Sequence, residues 1–173
     1  MSNLDALRTQ IDQIDTQMHD LLLQRFEITA EVAKAKGAAT DPTKIPRPER
    51  ELDIMNRRLA AHSGDLPKSS LVRIWREIMG AACHQQGDFR VGVAADPFGP
   101  LALAAREHFG TAVRLKFGEL QDLAQALNER SLALVVMAAD MDVPAGLYQI
   151  GSLRSDGAQI GHLLSPNTPD AAV

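Results

Sequence analysis

Aromatic residues are scarce in this 173-residue chain: they make up 4%, with one Trp and one Tyr. So few flat rings give nucleic-acid bases little to stack on, and the core must be built from Leu, Ile, Val and Ala. Positive charge is not in excess either, since the net charge is −4, which argues against a general binder of nucleic acid or other polyanions. The single cysteine, Cys83, excludes an intrachain disulfide and fits a reducing compartment. No apolar run approaches the length of a membrane span. The N-terminus, Met-Ser-Asn-Leu-Asp, has no basic segment leading into an apolar one, so a cytoplasmic protein without membrane contact is expected. Five histidines are scattered without HExxH or paired ligand spacing, and Cys83 and His84 are adjacent rather than facing. There is no GxGxxG or phosphate loop. No metal, thiol nucleophile or nucleotide cofactor is therefore expected.

What the chain does have begins at its start. From about Leu4 to Lys36 there is no Pro and no Gly, and apolar residues recur at steps of three and four: Leu4, Leu7, Ile11, Ile14, Met18, Leu21, then Ile28, Val32 and Ala35. This predicts one helix of about 32 residues, capped by Ser2 or Asn3 and ended by Gly37 as a left-handed C-cap, with Asp5 at its positive end and Lys34 and Lys36 at its negative end. Such a helix runs roughly 50 Å, longer than a domain of this size is wide. It needs a partner along its length, and a second copy of the chain is the nearest source.

A polar linker from Gly37 to Pro46 follows. A second helix is expected from Pro48 to His62, with Leu52, Met55 and Leu59 inward. A third is expected from Pro67 to Gln86, with Leu71, Ile74, Trp75, Ile78 and Ala82 inward. Three unequal helices make an incomplete bundle that dimerisation would complete. Beyond Gly87 the period changes. Phe89–Ala95, Ala112–Phe117 and Leu132–Ala138 read as strands, and Pro97–Phe109 and Leu120–Leu127 as helices, the first opened by Asp96 and Pro97 as N-cap and first residue. This βαβαβ order predicts a small α/β lobe with a mainly parallel sheet, weaker strands around 147–153 and 159–164, and a disordered tail. The expected domains are 1–87, 88–164 and a tail, 165–173.

One position breaks the apolar stripe of the first helix. Arg25 stands where a leucine belongs, and a guanidinium cannot shed its proton to ease burial, so on a packed seam it demands an anionic partner. No acid on the same face is an obvious mate: Glu27 and Glu31 point elsewhere and Asp20 lies five residues back. The residue either sets the register of helix pairing or awaits an anionic ligand. Lys36, eleven residues on, returns to within about 20° of the same face at a rise of roughly 16 Å, so the two side chains can converge on one small anion. Lys34 points away. Gln86 ends the row Trp75, Met79, Ala82. Arg50 and Glu51 lie in the first turn of the second helix, where free N–H groups favour anions, although a local role, with Glu51 complementing the dipole and Arg50 paired with Glu49 or Asp53, is the plainer reading of these residues alone. Arg8 is about 25 Å from Arg25 along the helix and a quarter-turn off its face, out of reach within one chain but not in an antiparallel pair.

These residues fall into a pattern. Leu7-Arg8-x-x-Ile-Asp-x-Ile-Asp, Arg25 with Glu31-Val-Ala-Lys-Ala-Lys36, Arg47-Pro-Glu-Arg50-Glu51, and Trp75-Arg-Glu-Ile-Met ending in Gln86 resemble, in order, the all-helical chorismate mutases of the AroQ type. The resemblance covers roughly the first half of the chain. It implies an intertwined homodimer in which Arg25, Lys36, Arg50, Glu51 and Gln86 of one chain, with Arg8 of the other, line each site. It also implies rearrangement of dianionic chorismate to prephenate in aromatic amino acid biosynthesis, a unimolecular reaction that needs no cofactor. Lys36, Gln86 and Arg25 would be catalytic, and Arg8, Arg25, Arg50 and Glu51 would bind substrate. Ala82 stands where some members have Ser, and Arg47 where some have Asp.

Phe89-Arg-Val-Gly-Val-Ala and Ala104-Ala-Arg-Glu-His-Phe-Gly110 resemble the opening of prephenate dehydratase, which in many bacteria follows this kind of mutase. The glycine-rich turn survives only as Asp96-Pro97-Phe98-Gly99-Pro100-Leu101, and the Thr-Arg-Phe motif occurs nowhere. A truncated lobe without dehydratase activity is expected. Two alternatives share the helical fold: an isochorismate pyruvate lyase, and a non-catalytic dimeric sensing module.

Overall fold

The computed structural model describes residues 3–36, 41–155 and 157–168, the side chain of Lys36 excepted. Helix α1 spans Asn3–Lys36, 34 residues without a break. The proposed caps at Ser2 and Gly37 lie outside the described residues, as do residues 169–173 of the expected tail, whereas Ser165, its expected first residue, is buried at the end of the last strand. Helix α2 covers Pro48–Ala60, with its proline in the first turn, and α3 covers Lys68–Gln86, preceded by Pro67. The seam of α1 is bare in the single chain: Leu7 is 49%, Ile11 57%, Met18 54% and Ile28 65% exposed. Leu52 and Ile74, expected inward, are exposed as well, because no described part of the same chain covers their faces. No helix among the described residues is long and apolar enough to cross a membrane.

After α3 come β1 (Arg90–Val93), α4 (Pro100–Phe109), β2 (Arg114–Phe117), α5 (Leu120–Asn128), β3 (Leu134–Ala138), β4 (Tyr148–Ser155) and β5 (Ala158–Ser165). The sheet order is β2-β1-β3-β5-β4. β1 pairs in parallel with both β2 and β3, whereas β5 pairs antiparallel with β3 and with β4. The sheet is thus mixed, not mainly parallel. The last two strands are joined by a tight turn at Gly157, φ +82°, and a hairpin can only run antiparallel. From β1 the chain steps one way to β2 and then back past β1 to β3. With the usual right-handed crossover, this reversal puts α4 and α5 on opposite faces, in line with their separate core clusters.

Alternation along the strands feeds a core on each face. Val91, Val93, Leu134, Val136 and Leu163 pack under α4, and Val135, Met137 and Leu164 pack under α5 with Leu123 and Leu127. α4 begins at Pro100, later than expected. Asp96 Oδ1 accepts from the Phe98 N–H at 3.0 Å, and the Gly99 N–H donates to the Asp96 carbonyl, so a turn occupies the residues assigned to the first helical turn.

The linker is not a free polar tether. A 3₁₀ turn, Pro42–Lys44, is capped by Asp41, whose Oδ1 accepts from Thr43 N and Oγ1 while Oδ2 meets Arg130 Nη1 at 2.7 Å. Ile45 is 2% exposed and belongs, with Cys83 of α3, to the core under α4. Asn167 Nδ2 donates to Thr43 Oγ1 at 3.1 Å. The α/β lobe therefore closes over the α1–α2 connection and over the end of α3.

Candidate active site

Arg25 lies two-thirds of the way along α1, where that helix passes α3. Its Nη1 is buried and has no hydrogen-bond partner, and the residue forms no salt bridge among the described residues. Burial holds its guanidinium below the ordinary arginine range. Cys83 opposes that shift and the neighbouring Arg50 adds to it. Two guanidinium groups, one on α1 and one in the first turn of α2, are thus close enough to repel, and neither forms an ion pair among the described residues. Such an arrangement lowers its energy by taking up an anion.

Gln86 closes α3 beside this region. Its Nε2 donates to the Ala82 carbonyl at 3.1 Å, which leaves one N–H free, and its Oε1 is buried without a donor. Arg47, which precedes α2, is the third residue with an orphaned buried polar atom, its Nε. Orphaned buried polar groups are rare, and each marks either a cost or a missing ligand. Two of these three, Arg25 and Gln86, are residues expected at the site from sequence.

Glu51 has a partner that the sequence reading missed. Arg76 Nη1 stands 3.4 Å from Glu51 Oε2, and both side chains are about four-fifths buried. Burial raises the Glu51 carboxyl above the usual carboxylate range, while Arg76 and the backbone hydrogen bond near Arg47 pull the other way. Burial likewise lowers Arg76, with Glu51 opposing. Asp53 pairs with Arg57 at 2.8 Å, so it does not neutralise Arg50. Arg8 is exposed near the start of α1 and does not join the other residues within one chain. Lys36 ends α1; its side chain lies outside the described residues. Only the Trp75-Arg76-Glu77 motif pointed toward Arg76, without a role attached to it.

Two surface grooves, of about 630 and 580 Å³, lie along α5 and at the C-terminal ends of β1 and β2. Neither contains Arg25, Arg50 or Gln86. The cationic cluster is open in the single chain, and no group of three or more His, Cys, Asp or Glu among the described residues is placed to hold a metal.

Fold and site together define a class: a helical unit with one overlong helix and two neighbouring guanidinium groups, carrying an α/β lobe. Residues 7–87 match the family model of chorismate mutase type II, and this part of the chain belongs to that family. The chain is 32% identical over 114 residues to a bifunctional chorismate mutase/prephenate dehydratase of Stutzerimonas stutzeri, covering 64% of this chain and 31% of that protein. The corresponding protein of Aquifex aeolicus gives 32% over 116 residues, with the same coverage. A T-protein of Enterobacter agglomerans gives 33% over 89 residues, 51% of this chain and 23% of that one. The chain spans about a third of the length of the mutase/dehydratases it matches. A match over 64% of the chain is longer than the helical segment, so the likeness to those proteins runs on into the α/β lobe. No solved structure matches this chain significantly.

Proposed function

We propose that residues 1–87 form a chorismate mutase domain, active as a cytoplasmic homodimer, and that the lobe at 88–164 has no dehydratase activity. The observation that carries this reading is the half-buried Arg25, whose Nη1 has no partner and whose charged neighbour is Arg50, inside a stretch that matches the type II mutase family. Chorismate is a dianion whose rearrangement to prephenate is a concerted exchange of bonds within one molecule. The protein has to hold the folded, diaxial form and stabilise charge on the breaking ether oxygen.

Arg25 grips one carboxylate, Arg50 supports that binding, and Arg8 of a second copy grips the other. Lys36 and Gln86 donate to the ether oxygen; the spare N–H on Gln86 Nε2 is available for this. Glu51, whose carboxyl is raised by burial while Arg76 opposes that shift, accepts from the ring hydroxyl. The exposed seam of α1 supports the dimer, because a second α1 laid antiparallel covers those side chains and brings Arg8 roughly 25 Å along the helix to the other chain's Arg25.

The test is incubation of the purified chain with chorismate, followed by loss of substrate and identification of product. Prephenate supports the reading. Unchanged chorismate rejects it, and release of salicylate and pyruvate from isochorismate instead would assign a lyase.

A further inference from the structure

Among the polar contacts between the α/β lobe and the helical domain, one runs from His108 through Arg76 to Glu51. Arg76 Nη1 carries two N–H bonds. One faces Glu51 Oε2 at 3.4 Å and the other faces His108 Nε2, also at 3.4 Å. Glu51 lies in α2, Arg76 in α3 and His108 in the last turn of α4, so a single guanidinium nitrogen links three helices across the two lobes. An arginine can only donate, so Nε2 accepts and the imidazole proton sits on Nδ1. Burial, then Arg76, push the His108 pKa down to about 3, which keeps the ring a neutral acceptor at neutral pH. The ring is held edge-on against Phe109, with centroids 4.8 Å apart.

The contact around this chain is close. A Cβ on Gly80 of α3 would lie 1.8 Å from the Phe109 carbonyl oxygen, and one on Gly110, φ +76°, would lie 3.2 Å from Glu77 Cα. Glu77 Oε2 accepts from Thr111 N and Oγ1 at 3.0 and 2.9 Å. Backbone meets backbone here, so α4 cannot shift without moving α3.

We propose that His108 is a positioning residue of the mutase site: by accepting one N–H of Arg76 it fixes the other on Glu51, so the α/β lobe orients the carboxylate that receives the substrate hydroxyl. This rests on the mutase reading for the role of Glu51. Without His108 the Arg76 fork has one arm unpaired, and the guanidinium turns toward other acceptors or water. Glu51 then loses both its orientation and the charge that opposes its burial.

The experiment compares the full chain with His108→Leu, His108→Gln and Thr111→Val by steady-state kinetics on chorismate and by thermal unfolding. His108→Leu is expected to lower kcat/KM roughly tenfold, mainly through KM. His108→Gln, whose Oε1 can accept from Arg76, recovers most of that loss. Thr111→Val loosens the same interface without touching the chain to Glu51, and lowers only the melting temperature. If His108→Leu folds poorly, His108→Ala reads the same bond. Kinetics unchanged in the His108 variants, or a loss in Thr111→Val matching that of His108→Leu, would overturn the proposal. If the unaltered chain turns over no chorismate, the mutase reading fails, and the Glu51 carboxyl followed by NMR decides on His108: an upward shift of its titration in His108→Leu supports the positioning role, and an unmoved titration rejects it.

Discussion

Replacing Arg25 with methionine separates the two readings of that residue, because they demand opposite changes in stability. Methionine keeps an unbranched side chain and nearly equal helix propensity, so the backbone of α1 is not penalised. The substitution removes a guanidinium whose Nη1 is buried and unpaired, and it relieves repulsion from Arg50. A buried polar group without a partner costs about 1–3 kcal/mol. The low end applies here, because only part of the group is sealed from water. Arg25→Met is therefore expected to stabilise the protein by about 1 kcal/mol, raising the melting temperature by roughly 2–4 °C for a chain of this size. Turnover of chorismate falls by at least roughly a hundredfold, as for loss of a charged group that grips the transition state. Urea unfolding followed by circular dichroism at one fixed protein concentration, with product formation measured on the same samples, supplies both numbers. Destabilisation by 1 kcal/mol or more would show that Arg25 is held by protein groups, and the ligand site built on it would be lost.

Gln86→Leu and Lys36→Ala are each expected to reduce kcat by about 3 kcal/mol, with smaller changes in KM, since both donors act on charge that develops at the ether oxygen. Acid stability reports on His108. Its pKa is depressed from 6.5 to about 3, so the folded protein resists protonation, and the stability present above pH 6.5 is lost as pH falls toward 3, by up to about 1.4 kcal/mol per pH unit. Urea midpoints measured at several pH values across this range should fall more slowly for His108→Gln; an identical slope would refute the assignment. Gly80→Ala is expected to destabilise by about 1–3 kcal/mol despite the better helix propensity of alanine, because the added methyl meets the Phe109 carbonyl. A gain in melting temperature would contradict the close α3–α4 contact.

How much of this was legible in sequence followed the range of the interactions. Helix α1 is written in a local period that runs for nine turns, and Arg25 stands out because it is the one charge that interrupts it. The parallel β1, β2 and β3 follow from alternation with intervening helices, whereas the antiparallel β5 depends on a hairpin whose strands carry weak patterns of their own. The α1–α2 linker was read only as polar. Its anchors, Arg130 on Asp41 and the core around Ile45, are brought together only by the finished fold. Arg76 and His108 were missed for the same reason: 32 residues separate them, and neither sits on a periodic stripe. Glu51 and Arg50 were placed from the first-turn position of α2, a local signal, but the charge that balances Glu51 comes from another helix.

If each site is assembled from two chains, two inactive variants must complement one another when their subunits are mixed. Arg8→Ala and Arg25→Ala are purified separately, each nearly inactive on chorismate, then unfolded, mixed in equal amounts and refolded together. Half of the dimers are then mixed, and each carries one site with neither substitution. Recovery of about a quarter of the activity of the unaltered protein is expected. Two folded, dimeric variants that regain nothing on mixing would show that Arg8 and Arg25 do not meet across an interface.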